Sequence, residues 1–435
     1  MKIGVLAAHF PPHGHVSSRR PYFTARILKD LGHDVTVFTS DLRFASNAKW
    51  NPNTEGLKIV TLNHVPLEID ESSGILEKVL LLCIRFFGTL PFGAGKRLKD
   101  LSLRLFFPFR RDLNLKISED EFTGFFGSLD WIIASGAPWS LFNLAVRIKT
   151  NSNIKIALDY RDPWNAINED IVLDSLGRHN SNFISRFIQK RNLRLEKEIL
   201  NNADLVTTVS QPIAENIKRV GNKVDVPVIY NGFSSIERLM TEKINLDGFN
   251  ISYTGTYRKE QKIERLFEAL ETLFENSEYR SNIKVNFIGV EVSPSVKPIL
   301  KPFYEFKNKY PQNVFLTEFL DRDDVARYQN SSQMLLHLNY SEKNGILSSK
   351  LFQYLGVGRT ILFISDTFSF SEKLVESANA GKVCSSSFEI SDCIKTQYEN
   401  WKTGSGSSEE INLKEINKYS FEAQIGNLEA ILKKS

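Results

Sequence analysis

The sequence predicts an α/β protein made of two doubly wound parallel sheets that face each other across a cleft. At 435 residues the chain is too long for one hydrophobic core, so two domains of about 200 residues are expected. Short apolar strands alternate with helical segments in the first half, and this alternation starts again at Asn250. The stretch PVIYNG, Pro227 to Gly232, has the position of a crossover between the two sheets.

The first half begins with a strand over Lys2–Ala8 and a helix over Ser18–Leu31, for which Ser17 or Ser18 is a suitable N-cap. Gly32 ends that helix, and the elements that follow are short and bounded by turn residues. We expect strands at Val35–Thr39, Lys58–Leu62, Trp131–Ala134, Ile154–Leu158 and Leu205–Val209, with helices at Trp139–Thr150 and Asn182–Asn201.

The second half repeats the pattern and ends in a helical tail over Lys414–Lys433 that can close the chain across one face. Its expected strands are Ile251–Thr254, Lys284–Ile288, Val314–Thr317, Met334–Leu338 and Thr360–Ile364, and its expected helices are Lys262–Glu275, Asp323–Asn330, Ser348–Leu355 and Ser369–Ala378. We therefore predict an N-terminal domain (1–228), a C-terminal domain (229–413) and a C-terminal helix (414–435) that crosses back to the first domain.

Charge is distributed unevenly. The net charge is +4, but the stretch from Glu77 to Lys116 carries nine Lys/Arg against three acids. Leucine and aromatic residues are interleaved with these cations, a pattern typical of a segment that docks on an anionic membrane surface. The alternative is an ordinary pair of core helices with a solvated basic face. We predict membrane docking over about residues 75–116, and no nucleic-acid binding, because no recognisable nucleic-acid motif accompanies the charge.

The cysteine content and the apolar segments indicate the cellular compartment of the protein. Three cysteines without metal-ligand spacing predict a reducing compartment. The N-terminal apolar run breaks at Pro11 and Pro12, which disfavours a signal peptide. The sequence contains no uninterrupted run of 18 apolar residues, so we expect no membrane-spanning helix. We expect a cytoplasmic protein that associates peripherally with the inner face of the cell membrane.

Two strand-to-helix corners in the second half point to an anion site. They lie in YTGTYRKEQKIERLFEAL, from Tyr253, and GILSSKLFQYLGVGRTILF, from Gly345. A helix start offers free N–H groups and the positive end of its dipole, and Lys262 and Lys350 add charge. The pattern predicts that the two corners together bind a diphosphate.

Four further segments precede these two corners in the chain. In order, they are FPPHGHVSSRRPYFTARILKDLGHDVTVFTS, IALDYRDPW, ADLVTTVSQPIAENI and VIYNGF. With this order the chain resembles GT-B glycosyltransferases, most closely glycosyltransferase family 4 and its group 1 relatives. The resemblance spans nearly the full length. It implies transfer of a hexose from a nucleotide diphosphate sugar, with retention of anomeric configuration and without a metal or other cofactor.

The resemblance implies a set of donor-site residues. The resemblance makes residues 1–228 the acceptor domain and residues 229–413 the donor domain. Gly255 ends the first strand of the donor domain, and Lys262 falls where the family keeps a lysine on the diphosphate. Thr256 replaces the usual arginine after that glycine, so Arg258 is the substitute that we expect. The alternative for Lys262 is a solvated lysine at a helix start.

The family's pair of glutamates is altered here. Gln353 occupies the second position, where it can still bond ribose hydroxyls, and Gly345 occupies the first. The alternative for Gln353 is simple solvation on its helix. Glu342 is a further candidate, for contact with the donor sugar. The backbone N–H groups of Gly345, Ile346 and Leu347 would face the phosphate, and the side chain of Lys350 would do the same.

Acceptor-side candidates follow the Ile154–Leu158 strand. Relatives place a residue that lines the reacting centre here, and we expect Asp162 in that role, with Asp159 second and Arg161 beside them. The alternative is a turn-forming aspartate paired with Arg161. The N-terminal loop adds His13, Gly14, Ser17, Ser18 and Arg19 as groups that can reach the cleft.

Other functions are weighed against this one. His9, His13 and His15 suggest a metal site, but no carboxylate or cysteine completes the ligand set. The missing GxGxxG disfavours a dehydrogenase. A nucleotide-sugar epimerase of the same fold and a catalytically weak nucleotide-binding scaffold remain alternatives. The partners that we predict are a UDP- or GDP-linked sugar and a lipid-linked or glycan acceptor of bacterial surface polysaccharide synthesis.

Overall fold

A computed structural model describes most of the chain. The described residues are 1–12, 16–40, 50–62, 124–164, 183–222, 225–234, 242–258, 260–290, 298–339, 345, 347–367, 369–405 and 411–435. The predicted membrane-docking region 75–116 and four expected site residues, His13, Gly14, Glu342 and Ile346, lie outside them. Among the residues that are described, no helix is long and apolar enough to cross a bilayer.

The first domain is built on a six-stranded parallel sheet with the order β3-β2-β1-β4-β5-β6. Its strands are β1 (Lys2–Ala7), β2 (Asp34–Ser40), β3 (Lys58–Leu62), β4 (Trp131–Gly136), β5 (Lys155–Tyr160) and β6 (Leu205–Thr208). The helices that flank it are α1 (Arg19–Asp30), α2 (Ser140–Thr150), α3 (Phe183–Asn202) and α4 (Gln211–Gly221). The chain reverses its direction of winding between β1 and β4, and ligands of such sheets bind beyond the carboxyl ends of the strands at that point.

The second domain repeats the architecture, with the order β12-β11-β10-β7-β8-β9. Its strands are β7 (Phe249–Thr254), β8 (Ile283–Ile288), β9 (Val314–Leu316), β10 (Met334–Leu338), β11 (Thr360–Ile364) and β12 (Gly381–Cys384). Its helices are α5 (Glu264–Phe274), α6 (Ser277–Asn282), α7 (Lys301–Lys309), α8 (Arg322–Ser331), α9 (Ser349–Val357), α10 (Phe370–Ser377), α11 (Ser387–Thr403) and α12 (Leu413–Asn417). The two Rossmann-like sheets confirm the predicted fold class, while β12 was not predicted, since four residues of mixed polarity carry little strand signal.

The expected single helix over Lys414–Lys433 is two helices in the structure: α12, whose Ile416 is buried in the second domain, and α13 (Phe421–Lys434). Only α13 returns to the first domain, as was predicted for the tail. Phe421 stacks on Phe23 of α1 with ring centroids 4.2 Å apart, and Ile425 and Leu428 are buried in the core beneath β1. The crossover is tied to this return, because Phe421 N–H donates to the Phe233 carbonyl at 2.9 Å. The crossover and the C-terminal segment therefore run side by side between the domains.

Candidate functional site

The carboxyl ends of the two sheets face each other. Gly345, in the segment after β10, lies against the corner between β6 and α4. A Cβ at Gly345 would come within 2.9 Å of Pro212 Cβ and of Ser210 Oγ, and its φ of +70° is one that glycine adopts readily. The loop edge of the second domain therefore touches the loop edge of the first.

The two predicted anion-binding corners meet at Lys350. A Cβ at Gly255, directly after β7, would lie 3.4 Å from Lys350 Cε and 3.6 Å from its Nζ. The ammonium lies 3.6 Å from the ring centroid of Tyr253, a cation–π contact. Gly255 has a φ of +99°, a backbone conformation that glycine adopts readily. The start of α9 and the end of β7 are thus joined by one side chain.

The environment of Lys350 disfavours its charged form. Burial, together with the nearby positive charge of Arg258, lowers the pKa of the Lys350 ammonium to about 7. His337 on β10 is buried beside it, and burial with the Lys350 charge lowers the pKa of that imidazole to about 3. Among the described residues, no acid contributes to either shift. This corner is therefore a place where a bound anion would gain from the lysine and also restore its charge.

Gln261 holds the corner together, a role that the sequence reasoning missed. Its Nε2 donates to the Leu338 carbonyl at the end of β10 at 2.7 Å, and its Oε1 accepts the N–H of Arg258 at 2.9 Å. The Tyr253 hydroxyl lies 3.1 Å from the same Oε1 and donates to the Thr256 carbonyl at 2.7 Å. A buried glutamine in a strand-to-helix loop is the signal that could have identified it. These bonds fix the loop that carries Thr256 and Arg258, both of which are exposed.

Lys262 has a different partner from Lys350. Its ammonium lies 2.5 Å from Asp366 Oδ2, just beyond β11, and its side chain is 60% exposed. Arg265 binds the other oxygen of the same carboxylate. The structure thus places the two predicted lysines at the carboxyl edge of one sheet, with Lys262 paired to an acid and Lys350 packed on an aromatic ring.

The remaining described donor residues lie on or before α9. Leu347 is buried in the core under this helix, and Gln353 is half-buried on it. Tyr354, on the same helix, accepts the Thr254 N–H with its hydroxyl at 2.9 Å. That bond connects α9 to the last residue of β7 and keeps the helix start at the corner.

On the acceptor side, the carboxylate of Asp159 is engaged inside the first domain. It is buried on β5 and accepts two hydrogen bonds from Arg20, each of 2.7 Å. The hydroxyl of Thr207 donates to it as well, at 3.1 Å. These partners show that the carboxylate of Asp159 is held inside the first domain.

Arg161 and Asp162 differ in their surroundings. The Arg161 guanidinium donates to the carbonyls of Gly136 at 2.8 Å and Ser17 at 2.9 Å, and to that of Ala137. Asp162 is exposed at the carboxyl end of β5. The negative charge of Asp162 still acts on Arg161, since it partly offsets the lowering of the Arg161 pKa by burial. Both the acceptor-side role of Asp162 and its pairing with Arg161 therefore stay predictions.

The start of α1 is largely packed. Ser17 contributes its carbonyl to Arg161, and Ser18 is fully buried. The Arg19 guanidinium lies over the rings of Phe23, Trp50 and Phe421 at 5.3–5.8 Å. Those contacts hold Arg19 among aromatic side chains between α1 and α13.

Comparison with known families now decides the class of the protein. Residues 19–235 match the model of Glycosyltransferase Family 4. The chain is a GT-B glycosyltransferase whose N-terminal domain belongs to family 4. By sequence, no curated protein matches it significantly.

Solved structures match the glycosyltransferase over its whole length. Sucrose-phosphate synthase from Thermosynechococcus elongatus is 13% identical, with a TM-score of 0.60 and coverage of 100% of this chain and 98% of that one. HepE of Anabaena in complex with UDP is 12% identical, with a TM-score of 0.59 and full coverage of both chains. The UDP-GlcNAc 2-epimerase from Methanocaldococcus jannaschii is 12% identical, covers both chains fully and has a TM-score of 0.53. At such identities the likeness establishes the fold.

Proposed function

We propose that this glycosyltransferase moves a hexose from a nucleotide diphosphate sugar to a lipid-linked or glycan acceptor in bacterial surface polysaccharide synthesis. The observation that carries the donor half is the contact of Lys350 with Gly255 and Tyr253. An ammonium at the start of a helix, whose pKa is lowered by burial and by Arg258, suits an anionic leaving group.

The donor diphosphate would lie at the start of α9. The N–H groups at this helix start would bind its oxygens, and Lys350 and Arg258 would stabilise the charge that develops as the sugar departs. Lys262, released from Asp366 or bridging to it, is a further cation for the diphosphate. Gln353 would bond the ribose hydroxyls. We expect the reaction to retain anomeric configuration and to need no metal.

UDP is the nucleotide that we favour over GDP. HepE of Anabaena has been solved with UDP, with UDP and glucose, and with UDP-glucose. A trehalose-6-phosphate protein of E. coli with a TM-score of 0.60 has been solved with UDP-2-fluoro glucose. These relatives support a UDP sugar as the donor of this chain.

The acceptor would enter from the first domain. Asp162 would contact its hydroxyl groups or stabilise the oxocarbenium-like centre from the acceptor side. The basic, leucine- and aromatic-rich stretch around residues 75–116 would place the protein on the cytoplasmic face of an anionic membrane, where lipid-linked acceptors are found.

Replacement of Lys350 by methionine tests the donor site. Lys350→Met should weaken UDP binding at least about tenfold and reduce sugar transfer by about 10²–10³. Lys301→Met is the matched control, because the side chain of Lys301 is 74% exposed on α7. This variant should leave UDP affinity and sugar transfer unchanged. Binding is measured by calorimetry and transfer with UDP-sugars and membrane extracts. Wild-type UDP affinity in Lys350→Met would overturn the assignment.

An epimerase remains the second candidate, because the 2-epimerase from M. jannaschii shares the fold. An epimerase converts a free UDP sugar without an acceptor, so NMR of the purified protein with UDP-sugars alone distinguishes the two. A nucleotide-binding scaffold would bind UDP and neither transfer nor epimerise a sugar.

A further inference from the structure

Two tryptophans stack at the mouth of the first domain. The indole rings of Trp139 and Trp164 lie 5.3 Å apart at an interplanar angle of 10°. Trp139 also packs on Phe142 at 5.5 Å and on Tyr160 at 5.6 Å, so one side of the pair is supported by the core. Both indoles are nevertheless half-exposed. The pair is therefore a supported aromatic surface with part of its area open.

The pair occupies the edge that faces the second domain. Trp139 follows the carboxyl end of β4, and Trp164 follows that of β5. This is the sheet edge at which the first domain meets Gly345. Arg161, through its bonds to the carbonyls of Gly136 and Ala137, ties the segment before Trp139 to the segment before Trp164. The two rings are thus held by main-chain contacts and not by each other alone.

An exposed carboxylate accompanies the indole pair. Asp162 precedes Trp164 by two residues and is exposed, while the hydrogen bonds of Arg161 go to main-chain carbonyls. An aromatic surface packs against the C–H face of a sugar ring, and a carboxylate accepts hydrogen bonds from the ring's hydroxyls. An isoprenoid chain would bury that carboxylate without a partner, and a diphosphate would be repelled by it.

We propose that Trp139, Trp164 and Asp162 form the subsite for an uncharged pyranose ring of the acceptor. This inference rests on the proposed function, because it names the acceptor group of that same cleft. It assigns the lipid or diphosphate part of an acceptor to a place outside the indole pair.

The five tryptophans of the chain allow a direct test. Each indole N–H gives one NMR signal in full-length protein labelled with ¹⁵N-tryptophan, and single Trp→Phe variants assign them. Methyl glucoside, methyl galactoside and methyl mannoside are titrated to millimolar concentrations with UDP present. We expect the signals of Trp139 and Trp164 to shift and those of Trp50, Trp131 and Trp401 to stay.

Variants separate the subsite from the donor site. Trp164→Ala and Asp162→Asn should each weaken the binding of the responding glycoside about tenfold, while Trp164→Phe, which keeps an aromatic ring, should weaken it less. Trp401→Phe, at an indole that packs on Phe249 and Tyr398 far along the chain, is the matched control. UDP affinity, measured in the same samples, should stay within about twofold in all of them.

The outcomes are distinct. If farnesyl phosphate shifts the two signals and the glycosides do not, the pair is a lipid site and the proposal is wrong. If neither probe shifts them while UDP binds normally, no acceptor subsite exists there. If UDP itself fails to bind wild-type protein, the donor assignment fails, and the glycoside titration still decides the subsite by itself.

Discussion

Arg20 and Asp159, 139 positions apart in the chain, form a buried bidentate ion pair. Arg20 Nε and Nη2 donate to the two carboxylate oxygens, each at 2.7 Å, and Nη1 donates to the Tyr230 carbonyl at 3.0 Å. One guanidinium thus connects α1, β5 and the crossover to the second domain. The Tyr230 ring in turn stacks on Phe370 of that domain at 5.0 Å. The ion pair is therefore connected, through Tyr230 of the crossover, to both domains.

Removal of the guanidinium should therefore destabilise the fold. Arg20→Met leaves Asp159 charged and buried with only hydroxyl partners, and loss of one partner of a buried pair costs about 3–5 kcal/mol. Urea denaturation measures the change. Asp30→Asn, which breaks the exposed pair with Arg26 on the same helix, should change stability by less than about 1 kcal/mol. Equal losses in both variants would contradict a special role for the buried pair.

UDP binding should take up a proton near pH 8. Free Lys350 has a pKa of about 7 and is mostly neutral at that pH, whereas a bound diphosphate favours the ammonium. Apparent affinity should fall by up to about tenfold per pH unit above 7 until the pKa of the complex is reached. Calorimetry in two buffers of different ionisation enthalpy measures the uptake, which Lys350→Met should abolish. An uptake that persists in Lys350→Met would assign the proton to another group.

The same lysine should affect stability in the absence of ligand. Its folded-state pKa of about 7 lies below the ordinary 10.5, so between these values the unfolded chain binds more protons. The contribution of Lys350 to the free energy of unfolding therefore rises with pH across this window. Comparison of wild type with Lys350→Met by urea denaturation at pH 7 and pH 9 should show a smaller increase, or a larger decrease, in the variant. Parallel pH profiles would argue against a neutral lysine.

A methyl group at Gly345 should interfere with domain contact. In Gly345→Ala the new Cβ would lie 2.9 Å from Pro212 and Ser210 of the first domain, and the φ of +70° adds about 1–2 kcal/mol of backbone strain. Gly404→Ala is matched in backbone, with a φ of +68°, and no described atom lies within 4 Å of its Cβ position. Both should lose stability through backbone strain, Gly345→Ala somewhat more because of the close contact, but only Gly345→Ala should lower transfer, by about tenfold to a hundredfold. Unchanged turnover in Gly345→Ala would show that the contact does not limit catalysis.

Replacement of Gln261 should lower the stability of the protein and also weaken UDP binding. Gln261→Leu leaves the Leu338 carbonyl and the Arg258 N–H without their partner, at a cost of about 1–3 kcal/mol, and frees the loop that carries Arg258. UDP binding should weaken with it. Gln333→Leu removes a comparable bond, to the Asn250 N–H at the amino end of β7, and should lower stability without changing UDP affinity. Calorimetry and thermal unfolding measure both variants; equal UDP affinity in the two would contradict a link between Gln261 and the donor site.

The sequence by itself determined the alternation of strands and helices, the restart at Asn250, the crossover near Pro227 and the returning C-terminal helix. Those features depend on local periodicity, turn residues and length, which a reader can see in neighbouring letters. It also identified the glycine and lysine of the two corners, since helix starts and positive charge are local signals.

Only the tertiary structure decided which partners those residues take. Asp159 meets Arg20, Lys262 meets Asp366 104 positions away, and Gly345 meets Ser210 on the other domain. Gln261 became visible only because the end of β10 lies against its loop. Each of these contacts joins distant segments through burial and directional hydrogen bonds. Neighbouring residues do not encode such partnerships, so they appear only once the strands are assembled in their order within each sheet.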